Sequence, residues 1–199
     1  MFEPYLGGKI ERNDWRHSIF TDLRSGNSDF FKSKMSYVDG FSYNGPFFVS
    51  CDHGCFHDAG NHGLGVINTG CDTGVFGEKG EEIEKQFKRH DVNNKCIEWI
   101  KSSDMVFFWT DKRDAYGSIT EIGIAHSLNK PIFIGISNQL ENAEDMWFPF
   151  NLANYFSFEE TAIDAWNKFV TLKSKLSKNK NLIDDHANAW LFCIEGMAY

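Results

Sequence analysis

Residues 102–135 read SSDMVFFWTDKRDAYGSITEIGIAHSLNKPIFIG, and their pattern decides the fold. Asp104 opens a run from Met105 to Trp109 whose length and β-branched and aromatic content suit a strand buried on both faces. A polar loop, Thr110 to Gly117, follows. Ser118 stands three residues before Glu121, the spacing in which two side chains satisfy each other's first-turn amides. It predicts a helix capped at Ser118, with Glu121 in its first turn. Ile122, Ala125 and Leu128 give that helix an inward face. Asn129 and Lys130 end it, and Pro131 leads into a second buried strand from Ile132 to Ile134. Strand, loop, helix and strand in this order call for a right-handed parallel crossover. Ligands of such units sit beyond the carboxyl ends of the strands, where loop and helix start meet, which puts Glu121 beside the crevice.

Composition sets the class. The 199 residues suffice for a single domain over 1–199 with one substantial core, and 42% hydrophobic with 24% charged residues is the globular range. No apolar run reaches membrane-spanning length, and the N-terminus lacks the basic, apolar, small-residue order of a signal peptide, so a cytoplasmic protein without a membrane partner is expected. Net charge is -8, from 20 basic and 28 acidic side chains, which repels a nucleic acid polymer. Five cysteines, an odd number, read as thiols rather than a disulfide framework.

Outward from the central unit, Pro4 to Leu6 is a brief apolar start before Gly7-Gly8, where missing side chains allow tight turning and close approach of backbone amides to a ligand. Asp14 can cap a helix to Leu23 with Trp15, Ile19 and Leu23 inward; Trp15 is either core or a ligand contact, and Arg16 either a surface charge or a ligand contact. Gly45 to Ser50 reads as a buried strand, and Gly63 to Gly80, with six glycines, as a loop-rich lid. Glu81–His90 and Asn94–Ser102 suit two helices, the second with Ile97 and Ile100 inward. Ala153–Phe158 is a last strand, and a final helix to about Leu176 carries Ala162, Ala165, Trp166, Phe169 and Leu172 as its inner stripe. The lysines of Lys173 to Lys180 read as a solvated helix end, and the apolar tail from about 182 to 199 should dock on the domain or on a neighbouring subunit.

Asp104, Gly117, Glu121, Gly123, Ala125, Lys130 and Pro131 together resemble the nucleoside 2-deoxyribosyltransferase superfamily, which also contains nucleotide N-glycosidases. Its members carry an aspartate opening an apolar strand, then Gly-x-x-x-Glu-x-Gly-x-Ala and Lys-Pro. Tyr5-Leu6-Gly7-Gly8 looks like the family's first strand and glycine turn. The resemblance implies a flavodoxin- or Rossmann-like three-layer α/β sandwich with a central parallel five-stranded sheet. It implies Glu121 as the nucleophile that attacks the anomeric carbon, Tyr5 as the hydroxyl that orients it, and Asp114 as a loop residue against the sugar hydroxyls or phosphate. Gly7, Gly8, Trp15, Arg16, Gly117 and Ser118 then border the substrate. No cofactor and no metal are implied, and C-terminal segments that complete adjacent sites in the family point to a homo-oligomer. Where many members carry a substrate-contacting aspartate, alignment on Trp99 puts Cys96 here, which points to a different substrate.

The stretch Cys51 to His62 places Cys51, His53, Cys55, His57 and His62 within twelve residues. One reading is a substrate loop in which the histidines, His53 among them, and Asp52 or Asp58 hydrogen-bond to sugar or base. A metal site and a satisfied polar loop are the others, although the spacing differs from a structural zinc knuckle. The expected chemistry is cleavage or transfer at the N-glycosidic bond of a nucleoside or nucleotide through a glycosyl-Glu121 intermediate, with Asp114 or a histidine of the Cys51 loop as the acid. NAD glycohydrolysis at the same glutamate, a catalytically silent nucleotide sensor and a metal-stabilised interaction protein are the competing expectations.

Overall fold

The computed structural model describes residues 1–10, 14–21, 37–38, 40–46 and 89–178. In chain order the elements are β1 (Pro4–Gly8), α1 (Trp15–Ile19), β2 (Tyr37–Val38), β3 (Phe41–Ser42), α2 (Arg89–Ser102), β4 (Met105–Thr110), α3 (Tyr116–Ser127), β5 (Ile132–Ser137), a 3-10 turn (Ala143–Met146), α4 (Trp147–Phe150), β6 (Tyr155–Glu159) and α5 (Ala162–Lys178). β1, β4, β5 and β6 form a parallel sheet in that order, while β2 and β3 make a small antiparallel hairpin.

Every residue of β1, β4 and β5 is buried, which is why their sequences run apolar without alternation. Register assigns the faces. Tyr5, Gly7, Val106, Phe108, Ile134, Phe156 and Phe158 share the side on which α3 lies; Leu6, Phe107, Phe133, Gly135 and Ser157 share the other. On that second side α5 inserts Ala165, Trp166 and Phe169, and Phe107 meets the rings of Phe133, Trp166 and Phe169 at 5.4–5.6 Å. α1 joins α5 there through Trp15, 5.5 Å from Phe107, and α2 joins α3 on the first side. The result is helices on both faces of a parallel sheet, as βαβ crossovers demand.

The expected five-stranded sheet is not what the described residues form: the sheet has four strands among them. The expected strand at Gly45–Ser50 is absent at Gly45 and Pro46, and residues 47–50 lie outside the described part. Yet 40–46 runs along the outer edge of β1. Ser42 N–H donates to Phe2 O at 2.9 Å, Asn44 N–H to Pro4 O at 3.3 Å and Leu6 N–H to Gly45 O at 3.0 Å. Pro4 has no N–H, so the rung it would donate to this segment cannot form.

Other boundaries moved as well. α1 stops at Ile19 with Phe20 as its C-cap, short of Leu23, because Phe20 is drawn fully into the core against Tyr43 and Trp166. α2 begins at Arg89 and buries Trp99 and Ile100, with Ile97 only half-buried. Lys173 is not simply solvated: its ammonium lies 5.0 Å from the Phe41 ring centroid and 5.3 Å from that of Phe2. The Cys51–His62 stretch, with Asp52 and His53, the Gly63–Gly80 lid and the 182–199 tail lie outside the described residues. No helix among the described residues is long and apolar enough to cross a membrane.

Two glycines give opposite expectations. A Cβ on Gly135 would stand 2.5 Å from the Ala165 Cβ and 3.0 Å from Trp109, so Gly135→Ala should destabilise by about 1–3 kcal/mol in urea unfolding. Gly123, in the middle of α3, has nothing within 4 Å of that position, and Gly123→Ala should stabilise by roughly 0.5–1 kcal/mol.

Candidate active site

The buried end of β1 has to be satisfied from one side, and Arg16 does it. Its side chain is wholly buried: Nε donates to Leu6 O at 2.7 Å, Nη2 to Gly8 O at 2.9 Å and Nη1 to Lys9 O at 3.3 Å. Nη1 also pairs with Asp14 Oδ2 at 2.5 Å, and the guanidinium stacks 4.5 Å from the Trp15 ring. Asp14 caps α1 as expected, its Oδ1 accepting from Arg16 N–H at 3.0 Å. Arg16 is therefore neither a surface charge nor aimed outward at a ligand; it ties α1 to the last residues of β1.

Gly7 and Gly8 are required by that strand end. The Phe108 ring lies where a Gly7 Cβ would go, only 1.8 Å away, and Gly8 has φ +141 with Trp109 O at 2.7 Å from a hypothetical Cβ. Trp15 is half-buried between the Phe107 ring and the Arg16 guanidinium, and its Nε1 has no hydrogen-bond partner among the described residues.

The helix capping expected at Ser118 does not form. α3 starts three residues earlier, at Tyr116, with Ala115 rather than Ser118 as N-cap and no side-chain cap; Gly117 and Ser118 lie within its first turn and Glu121 in its second. Glu121 is instead taken by tertiary structure: Tyr5, fully buried in β1, donates its hydroxyl to Glu121 Oε1 at 2.5 Å, across 116 residues of sequence. Such a bond between O–H and carboxylate is short and charge-assisted. Glu121 keeps some exposure as a residue, while its carboxyl is turned inward against the fully buried Tyr5 hydroxyl.

The electrostatics follow from that position. Burial pushes the Glu121 carboxyl up to about 7, against the Tyr5 hydrogen bond and the positive Arg16, both of which favour the ionised form. Burial also raises Tyr5 well above its ordinary value, helped by the Cys96 thiol and the Glu121 carboxylate beside it. Cys96, half-buried on α2, thus lies beside Tyr5. Only its alignment beside Trp99 drew attention to it in the sequence.

Asp114 is different in kind. It is exposed in the loop between β4 and α3, and Lys9, just past β1, donates to its Oδ2 at 2.6 Å. That hydrogen bond holds its carboxyl below the usual range. Lys9 carries no sequence signal of its own; only the adjacency of β1 and β4 brings it to Asp114. Arg113 of the same loop pairs with Asp145 at 2.7 Å. Among the described residues no cluster of His, Cys, Asp and Glu could hold a metal ion. No protein family, curated protein or solved structure matches the chain.

Two measurements test this arrangement. Glu121 is neutral in folded and unfolded chains below its ordinary value of 4.5, and only the folded chain holds the proton between there and about 7. Stability should therefore fall as pH rises through that window, by roughly 2–4 kcal/mol from this residue, and then level off. Urea unfolding from pH 4 to 9 should show the slope in the wild type and its loss in Glu121→Gln. Arg16→Met, which strands three carbonyls and buried Asp14, should cost about 3–5 kcal/mol.

Proposed function

We propose that the protein cleaves or transfers at the N-glycosidic bond of a nucleoside or nucleotide, with Glu121 as the nucleophile. The observation that carries this reading is a deep carboxyl, poised near neutrality and held by a buried Tyr5 hydroxyl at 2.5 Å beside a parallel sheet. The resemblance of Asp104 to Pro131 to the nucleoside 2-deoxyribosyltransferase superfamily supports it. So does the edge segment 40–46: counted as a strand, it completes a five-stranded flavodoxin-like sheet whose order reverses at β1, between that edge and β4, where ligands of such folds bind.

The chemistry runs in two steps. Ionised Glu121 attacks the anomeric carbon, an Oε–C1 bond forms as the C1–N bond breaks, and the departing base takes a proton from an acid. Tyr5 keeps the attacking oxygen aligned and stabilises its charge, and the poised value leaves a substantial ionised fraction at neutral pH. A second base or water then attacks C1 and releases Glu121, the choice deciding between transferase and hydrolase. Asp114, kept ionised by Lys9, is suited to accept hydrogen bonds from sugar hydroxyls rather than to donate the proton. Gly7, Gly8, Trp15, Gly117 and Ser118 border the substrate, with α3's uncapped first turn offering amides to a polar substituent. The enzyme works in the cytoplasm without a cofactor, as a homo-oligomer.

Asp114 also favours a second reading. Nicotinamide leaves NAD neutral and needs no proton, so a site whose described loop carboxylate is held ionised suits NAD glycohydrolysis at the same glutamate. Chromatography of bases released from deoxynucleosides, nucleoside monophosphates and NAD, with and without a second base, separates the readings. The wild type should release base, and Glu121→Gln should lose turnover by about 10³-fold or more. Activity should rise with pH through about 7, the value set for Glu121, and Tyr5→Phe, lacking the bond that favours ionisation, should move that limb to higher pH. Ligand binding that survives Glu121→Gln with no turnover in the wild type would make the protein a sensor.

A further inference from the structure

Gly45 stands between two buried aromatic rings, one from the sheet and one from α2. A Cβ there would lie 2.8 Å from Tyr5 Cε2 and 2.4 Å from Trp99 Cε3, and φ is +88. Cε2 is the ring carbon next to the one that carries the hydroxyl, so the Gly45 backbone packs against the hydroxyl end of Tyr5. The segment is fixed on both sides. Gly45 O accepts from Leu6 N–H at 3.0 Å, which holds it to β1. Asn44, buried, donates through Nδ2 to Trp99 O at 3.0 Å and to Ser102 Oγ at 2.9 Å, which holds it to the last turn of α2. Tyr43, also buried, donates its hydroxyl to Pro46 O. A positive φ accounts for a glycine in a turn, but not for a space between two rings too small for one carbon.

We propose that Gly45 is a positioning residue for the candidate nucleophile: held by Asn44 and α2, its bare backbone sets the Tyr5 ring so that the hydroxyl meets Glu121. The bond it aims, from Tyr5 to Glu121 Oε1, is short and directional. Carbon atoms in contact stay roughly 3.5–4.0 Å apart, so a methyl on Gly45 has to displace the Tyr5 ring by about 0.7–1.2 Å. Trp99, buried and closer still to the same point, leaves that methyl no room on the other side. The outer edge of β1 thereby takes part in the site although it contributes no side chain to Glu121. Gly45 matters to catalysis only if Glu121 is the nucleophile, but the carboxyl titrates whether or not a nucleoside is turned over, so the two readings fail separately.

Carbon-13 NMR titration of the glutamate carboxyls in the full chain tests it, with Glu121 identified as the signal missing from Glu121→Gln. Among the described residues, the groups that bear on this carboxyl are the Tyr5 hydroxyl from β1 and the Arg16 guanidinium from α1, with the Cys96 thiol of α2 beside Tyr5. A methyl at position 45 removes none of them. Gly45→Ala should raise the Glu121 midpoint by about one pH unit, because the hydrogen bond it misdirects favours the ionised form. In the Tyr5→Phe background the same substitution should leave the midpoint where Tyr5→Phe put it, since no hydroxyl remains to be misdirected. A midpoint indifferent to Gly45→Ala, or moved equally in both backgrounds, would overturn the proposal. Circular dichroism checks folding, and Asn44→Ala, which releases the segment from α2, replaces Gly45→Ala in the same pair of titrations if that variant does not fold, with the same two expectations and the same overturning results.

Discussion

A guanidinium with no exposure to water has to be given acceptors, and Arg16 takes its acceptors from the carbonyls of Leu6, Gly8 and Lys9 and from Asp14. That demand fixes where β1 ends and where α1 begins. It fixes the neighbourhood of Tyr5 too, which lies one residue before the clamped carbonyls, and it brings Lys9 to the far side of the β4–α3 loop where Asp114 stands. The same charge reaches Glu121 and offsets part of its burial. A single buried cation therefore serves both the architecture and the electrostatics of the candidate site.

Opposed forces set the state of Glu121. Desolvation alone would keep the carboxyl protonated and inert as a nucleophile; a hydrogen-bond donor and a distant positive charge alone would make it an ordinary exposed-type carboxylate. Their near balance at about 7 makes a group that changes charge under physiological conditions. Asp114, with an ammonium at 2.6 Å and open to water, stays ionised over that whole range. Two carboxylates at neighbouring sites thus have separate electrostatic characters because one is buried beside a hydroxyl and the other is exposed beside a lysine.

Much of the frame was legible. The unbroken apolar run Met105–Trp109, the proline before Ile132 and the inner stripe Ala162, Ala165, Trp166, Phe169 reflect local requirements of buried strands and an amphipathic helix, and those elements are present. The start of α3 was not: Ser118 and Glu121 have the spacing of a reciprocal cap, but the glutamate has a better partner in Tyr5, which helix-local reasoning does not contain. The end of α1 was not legible for a like reason, since Phe20 turns into the core and closes the helix after Ile19. Arg16 illustrates the limit most clearly. An arginine beside a tryptophan near the chain start reads as solvated or ligand-facing, and only the packing of α1 on the strand end buries it.

By itself the sequence determined the class: a parallel α/β unit, with a glutamate on the helix after the central strand, because strand burial and helical periodicity are written in residues close together along the chain. Only the tertiary structure decided what that glutamate is. Its partner hydroxyl is 116 residues away, the thiol beside that hydroxyl comes from α2 and the moderating charge from α1. Dielectric environment and long-range hydrogen bonds are properties of the assembled layers, and no local pattern encodes them.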